Sequence, residues 1–337
     1  MSARTAICTW FVADAPADAT FFPQVGARSD SPSAQAVYWR CSTGFFASSL
    51  AVNPDTRHLL FTNGPVPHVD GVDLAALYAR WGVETVLLPV AHRLPRGAVG
   101  SWGNQFYVFD ILDHLAADAS LDRAIVLDSD CLWLRPVDEM ERAIDQAGAL
   151  TYLLGEDAYR EDEPINGLTR GQMARFLHTG GGPDRPSTPY YGGEIYAATR
   201  AVTARLAARA AALWPAVLAQ GADAPREEAH FLSVLYALEG IAPGTADRFI
   251  RRMWTAFHHH DLRASDRELT IWHLPVEKRT GFAELFAALV RHPGDPRRDA
   301  AAMGLTYRDY ARAMGYPSRR PAKLARDLSA KLREKLA

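Results

Sequence analysis

The sequence predicts an α/β fold built on a mostly parallel sheet flanked by helices. Two observations carry that prediction. Short apolar runs that stop at Gly, Asn or Asp alternate with longer stretches of helical periodicity, and the first four runs are each separated by one such stretch. Parallel neighbours need a crossover connection, so this alternation reads as successive βαβ units.

The elements follow in order. "TAICTWF" (5–11), "HLLFT" (58–62), "VETVLLPV" (83–90) and "AIVLD" (124–128) have the length and the β-branched and aromatic content of strands. "ALTYLL" (149–154), "EIYAAT" (194–199) and "LTIWH" (269–273) add three more. Helices are predicted over 35–52, 72–81, 103–117, 137–147, 200–220 and 226–239. The Gly-, Pro- and Asp-rich stretch 155–189 reads as a long mobile loop of the lid or acceptor-recognition kind, with 241–262 as a second such loop. Residues 1–290 are expected to form one domain. Residues 291–337 are expected to form a polar linker and a basic amphipathic helix in which Leu324, Leu328, Leu332 and Leu336 recur every four residues.

Composition narrows the function classes. A formal charge of −2 over 337 residues gives no electrostatic reason to expect nucleic acid. Cys8, Cys41 and Cys131 are scattered and odd in number, which argues for a reducing cytoplasm rather than a disulfide framework. The early run "AICTWFVA" is too short to span a bilayer and lacks a basic lead-in. The C-terminal helix is the one segment suited to peripheral contact with an anionic membrane or a partner. Lysine occurs only at Lys278, Lys323, Lys331 and Lys335, leaving Lys278 alone in the body of an arginine-biased chain.

The chemistry concentrates in "RAIVLDSDCLWLRP" (123–136), where an apolar strand ends on Asp128 and Asp130 with Ser129 between them. Like charges so close need water or a cation, and paired carboxylates suit a hard divalent ion such as Mg²⁺ or Mn²⁺. In open parallel sheets ligands bind beyond the carboxyl ends of the strands, where this pair falls. The three histidines of "FHHHD", His258 to His260, diverge along the chain and are expected to be a loop rather than a metal site.

An apolar strand ending in Asp-x-Asp, with "SWGNQFYVFDILDHLA" before it, "YYGGEIYAAT" and "REEAHFLSVLY" after it, and "IWHLPVEKRTGF" near the end, resembles the metal-dependent glycosyltransferases of the GT-A fold. The likeness spans roughly 5–285 and touches the retaining glycogenin-like, lipopolysaccharide galactosyltransferase-like and ABO-type families. It implies a Rossmann-type GT-A sheet and an Mn²⁺ or Mg²⁺ held by Asp128, Asp130 and His273. The implied substrates are a nucleoside-diphosphate sugar, with a UDP-sugar favoured, and an unidentified acceptor. Donor contacts are expected at Thr9, Trp10, Asn63, Asn104, Gln105, Asp128, Ser129, Gly192, Gly193 and Lys278. Lys278 would add a point charge at the phosphates. Gly192 and Gly193 lack a Cβ, so a ligand could press against the main chain there. Glu194 could accept hydrogen bonds from sugar hydroxyls. Glu227 or Glu228, at a helix start, could act as nucleophile, ion-stabilising carboxylate or base. Retention is favoured because the resembling families retain.

Two other readings stay open. A strand ending in Asp-x-Asp is also the nucleophile motif of haloacid-dehalogenase-type phosphatases, with Asp128 as phosphoryl acceptor and "GDPRRD" (294–299) as the later acidic element. A GT-A-like module that binds sugar nucleotides without turnover is the third.

Overall fold

In the computed structural model, which describes residues 4–153, 160–256 and 259–336, the strands of the first half assemble in parallel. These are β1 (Thr5–Phe11), β2 (Arg57–Thr62), β3 (Val83–Leu87) and β4 (Arg123–Leu127). After a short strand β5 (Cys131–Trp133) come β6 (Ala149–Leu153), β7 (Tyr191–Thr199) and β8 (Gly244–Thr245). The main sheet has the order β8-β6-β7-β4-β1-β2-β3. β7 runs antiparallel to both its neighbours, and the other four pairings are parallel.

The helices follow the expected pattern closely. They are α1 (Pro32–Val52), α2 (Leu74–Arg80), α3 (Tyr107–Ala117), α4 (Asp138–Ala147), α5 (Arg170–Thr179), α6 (Arg200–Leu218) and α7 (Glu228–Leu238). Their starts are set locally. Ser31, Asp73 and Thr199 each accept a backbone N–H from the first turn of α1, α2 and α6. Side chains alternate across the sheet: Ile7, Leu60 and Ile125 face α1 with Phe45 and Phe46, while Cys8, Leu59 and Val126 face α3 and α7 with Phe109 and Phe231. α6 is long and apolar enough to cross a membrane by composition, yet Leu206, Ala207 and Ala210 belong to the core shared with α3.

Several boundaries differ from the sequence-based expectation. The stretch expected as a mobile loop over 155–189 contains α5, started by a reciprocal capping box between Thr169 and Gln172; residues 154–159 lie outside the described residues. β7 begins three residues before the predicted strand, at Tyr191, because Tyr152 and Leu153 of β6 pair with Gly192 and Tyr191. The strand predicted over 269–273 is found, but in a second small sheet whose other two strands the sequence does not reveal. There β10 (Ile271–His273) pairs antiparallel with β5 and parallel with β9 (Ile250–Arg252). Its strands are three residues long, too short to show a period of two.

Beyond the sheets, α8 (Gly281–Arg291), α9 (Pro296–Asp299), α10 (Tyr307–Met314) and α11 (Pro321–Leu336) complete the chain. The polar stretch after Arg291 lies against the body: Trp81 Nε1 donates to Gly294 O at 2.9 Å, and Arg297 Nε to Pro54 O at 3.0 Å.

α1 and α8 cross closely at Gly44, where an added Cβ would meet Phe282 at 3.1 Å and Leu285 at 3.2 Å. Gly44→Ala should be close to neutral, since the tight contact offsets the gain in helix propensity. Gly44→Leu should cost about 1–3 kcal/mol by overpacking, read as a lowered urea midpoint with unchanged slope.

Candidate active site

β4 delivers the two carboxylates. It ends at Leu127, and the Asp128 N–H donates to Glu194 O at 3.2 Å, so the strand end is tied to β7. The chain then turns into β5, whose Cys131 lies opposite His273 of β10. Leu274 N–H donates to Asp130 O at 3.0 Å, closing the same corner. The short antiparallel pair therefore carries a residue from late in the chain to the end of β4. His273 Nε2 lies 3.3 Å from Asp130 Oδ2 and 3.6 Å from Asp128 Oδ2. One ligand atom from each of the three lies within 4.8 Å of the others. A single turn later, buried Lys278 places Nζ on Asp130 Oδ2 and 5.8 Å from the Tyr38 ring centroid.

The electrostatics follow from that packing. Burial opposes ionisation of Asp130, but Lys278 and His273 hold its carboxyl well below the usual range. Partial burial at the cavity floor and repulsion from Asp130 push Asp128 up to about 6. His273 is buried as well, yet Asp130 and Glu194 raise it to about 9. Lys278 stays charged for the same reason: the Asp130 carboxylate outweighs desolvation.

Two carboxylate oxygens and one imidazole nitrogen form a donor set that fits a hard or borderline divalent ion such as Mn²⁺ or Mg²⁺. The far side of the histidine fits too. His273 Nδ1 is buried without a hydrogen-bond partner, 3.7 Å from Glu194 Oε1, the position from which a carboxylate orients a ligating imidazole. Asp128 keeps 41% of its side chain accessible and so presents the open side of the cluster.

A second group of carboxyls adjoins the first. Glu194 accepts a two-pronged bond from Arg252, at 3.0 and 2.9 Å. Burial disfavours its charge, but His273 and Arg252 hold it ionised, down to about 2. Glu227 accepts from Tyr190 Oη at 2.7 Å and Asn166 Nδ2 at 2.6 Å. Burial still raises its carboxyl to about 7. Burial and Glu227 together raise Glu228 well above the ordinary range, and Glu228 Oε2 is buried with no hydrogen-bond partner.

The paired glycines serve these acids. A Cβ on Gly192 would overlap Glu194 Oε2, and one on Gly193 would overlap Glu228 Oε1. At Gly192 the space beside the backbone is filled by the protein's own Glu194, whereas Gly193 packs against Glu228 and still borders the cavity described next.

All of this borders one cavity of about 350 Å³. Trp10, Asn104, Gln105, Asp128, Ser129, Asp130, Gly193, Glu194, Glu227, Glu228, His273 and Lys278 line it. Three predicted donor positions do not. Thr9 is fully buried and donates to Leu127 O at 2.9 Å, stitching β1 to β4. Asn63 bonds the backbone of Ala13 through both side-chain ends, at 2.8 and 3.1 Å. Gly192 sits behind Glu194. Gln105 donates to Arg226 O at 3.3 Å, and Asn104 reaches Val12 O at 3.3 Å, both from the turn before α3 rather than from the helix itself.

Sequence reasoning missed Arg252, Tyr190, Asn166, Trp254, Phe22 and Tyr38, which also line the cavity. Only Tyr190, beside the two glycines, carried any local signal. Asp110, in the first turn of α3, bonds His92 Nδ1 at 2.7 Å and does not line the cavity. Of the histidine run, His258 lies outside the described residues, His259 stacks on Trp254 at 5.4 Å between ring centroids, and neither His259 nor His260 joins the cluster.

Neither a protein family nor a curated protein matches this chain. Among solved structures, an active-site mutant of LgtC aligns over 80% of this chain and 86% of its own, with 14% identity and a TM-score of 0.47.

The Glu227 shift has a definite sign. Its carboxyl is raised from 4.5 to about 7, so the stability it contributes is complete below about 4.5 and is lost as pH rises through about 7. Glu227→Gln should flatten that part of the stability profile. Relative to wild type the variant gains stability between those limits, over a constant offset of about 1 kcal/mol for the hydrogen bond that a single amide oxygen cannot keep. Urea unfolding across a pH series measures both parts.

Proposed function

We propose that this chain is a metal-dependent glycosyltransferase of the GT-A type, moving a sugar from a nucleoside-diphosphate sugar to an acceptor. The observation that carries the reading is the convergence of Asp128, Asp130 and His273 at the carboxyl end of a parallel strand, inside one cavity with Lys278, Glu227 and Glu228. A donor diphosphate brings negative charge, and more develops as the glycosidic bond breaks. Asp128, Asp130 and His273 would hold Mn²⁺ or Mg²⁺, which supplies Lewis-acid stabilisation to that leaving group. Lys278 moves part of its charge from Asp130 to the phosphates when they arrive.

Glu228 is assigned beneath the anomeric carbon. Both oxygens of Glu227 are engaged by Tyr190 and Asn166, whereas Glu228 Oε2 has no partner. Positive charge developing on the sugar favours the ionised form of Glu228 when it is needed, in keeping with a retaining reaction. Glu194 orients His273 and is withdrawn from direct sugar contact by its pairing with Arg252. Trp10, Trp102 and Phe22 offer aromatic walls for the nucleoside, with a UDP-sugar the favoured donor, and Asn166, Tyr190 and Trp254 border the acceptor side. Three buried free cysteines suit a reducing compartment.

The phosphatase reading loses its second acidic element. Asp295 caps α9 through Arg297 N–H at 3.1 Å and Asp299 accepts from Asp295 N–H at 3.0 Å; neither lines the cavity.

The exposed Leu324, Leu328 and Leu332 of α11, in a basic stretch of sequence, are assigned to the surface of an anionic bilayer. Co-sedimentation with phosphatidylglycerol vesicles, lost in Leu328→Asp/Leu332→Asp, tests this; equal binding by wild type and variant contradicts it.

Incubation with Mn²⁺ and a panel of sugar nucleotides should release nucleoside diphosphate slowly in the absence of an acceptor. Asp130→Asn should reduce that release by about 100-fold or more. No release from any donor, together with no nucleoside-diphosphate-induced rise in melting temperature, would overturn the proposal. Phosphate release from a generic phosphoester, lost in Asp128→Asn, would favour the phosphatase.

A further inference from the structure

α11 docks in an unusual manner. An amphipathic helix ordinarily turns its leucines inward, but Leu324, Leu328 and Leu332 face out, and the buried face is charged. Lys323, 3% exposed, donates to Glu277 Oε2 at 2.7 Å and to Asp327 Oδ1 at 2.9 Å. Arg319 Nε lies 3.1 Å from Asp327 Oδ2. Two acids and two bases thus form a neutral buried group. Such groups add little stability over apolar packing, but they demand one geometry, because removing a member strands a charge.

The geometry they impose is that of the cavity wall. Glu277, 1% exposed, accepts from Thr255 Oγ1 at 2.6 Å through one oxygen. Through the other it accepts from Thr280 Oγ1 at 2.7 Å and Gly281 N–H at 3.1 Å as well as from Lys323. Thr255 is the neighbour of Trp254, and Glu277 is the neighbour of Lys278; both neighbours line the cavity. A Cβ on Gly281 would overlap Met314 Sδ and come within 2.9 Å of Glu277 Oε2, so glycine is what lets the carboxylate lie this close to the start of α8.

We infer that Lys323 is a positioning residue for the active site: acting through Glu277, it sets Thr255 and with it the places of Trp254 and Lys278. The C-terminal helix is then part of the catalytic apparatus without touching substrate. Without the Lys323 ammonium, Glu277 keeps a buried charge that only hydroxyls and one amide solvate. Its carboxylate is drawn towards water, and that movement loosens the 253–255 and 275–278 segments together.

The kinetic arm rests on the glycosyltransferase reading, so the full-length chain is tested in two ways. Lys323→Met should weaken Mn²⁺-dependent binding of UDP by about tenfold and lower kcat for donor hydrolysis by a similar factor, in protein shown to be folded by circular dichroism. Lys323→Met/Glu277→Gln, which removes both charges, should recover most of the loss. Thr255→Val breaks only the hydrogen bond to Glu277 and should show a smaller loss of the same kind; it carries the test if Lys323→Met does not fold. Folded variants with wild-type UDP affinity and kcat, differing only in melting temperature, would overturn the inference and leave Lys323 a structural anchor. A wild-type chain that neither binds UDP nor turns over any donor fails the function reading instead, and weakened side-chain order at Trp254 by fluorescence in Lys323→Met still decides the positioning claim.

Discussion

The structure depends on how the charge of Asp130 is neutralised. An almost fully buried carboxylate at the end of an apolar strand is tolerable only with partners at hand, and His273 and Lys278 supply them from one short segment far along the chain. That requirement explains the small second sheet: pairing Cys131 with His273 is the means by which the late segment is held at the end of β4. It also explains why Asp128 differs so much from its neighbour. With the cations committed to Asp130, Asp128 is left facing the cavity, raised and accessible, as the position that most needs an incoming positive charge.

The same logic runs outward through the site. Each carboxyl differs from the next by its partner: Glu194 has Arg252, Glu227 has neutral donors, and Glu228 has an oxygen without one. With Asp128 and Asp130 these make five acids in one region, which would repel, so the fold ranks them by ionisation, a familiar route to distinct chemical roles. Gly192 and Gly193 belong to this arrangement because any side chain there would displace an acid.

Further from the cavity, charge again replaces apolar packing at a joint. Between α11 and the wall segment there is a closed group of ions and hydroxyls, while Leu324, Leu328 and Leu332 stay outside. A hydrophobic contact can slide by a few tenths of an ångström at little cost. Hydrogen bonds to a buried carboxylate cannot, and that rigidity is what a wall carrying Lys278 and Trp254 requires.

By itself the sequence determined the parallel half of the sheet, the flanking helices, and the strand end at Asp128 and Asp130, because these rest on local periodicity and on one motif at a strand terminus. His273 and Lys278 were legible through a stretch resembling a known pattern, not through any spacing that requires them to meet the aspartates. Thr9 and Asn63 were misplaced because a polar residue at a strand end looks the same whether it faces a ligand or bonds its own backbone. What only the tertiary structure decided is everything set by contacts between distant segments: Arg252 on Glu194, Tyr190 and Asn166 on Glu227, the acids behind the two glycines, and Lys323 on Glu277. The physical reason is that ionisation and position of a buried polar group depend on which partner replaces water, and that partner is chosen by the packing of the whole chain.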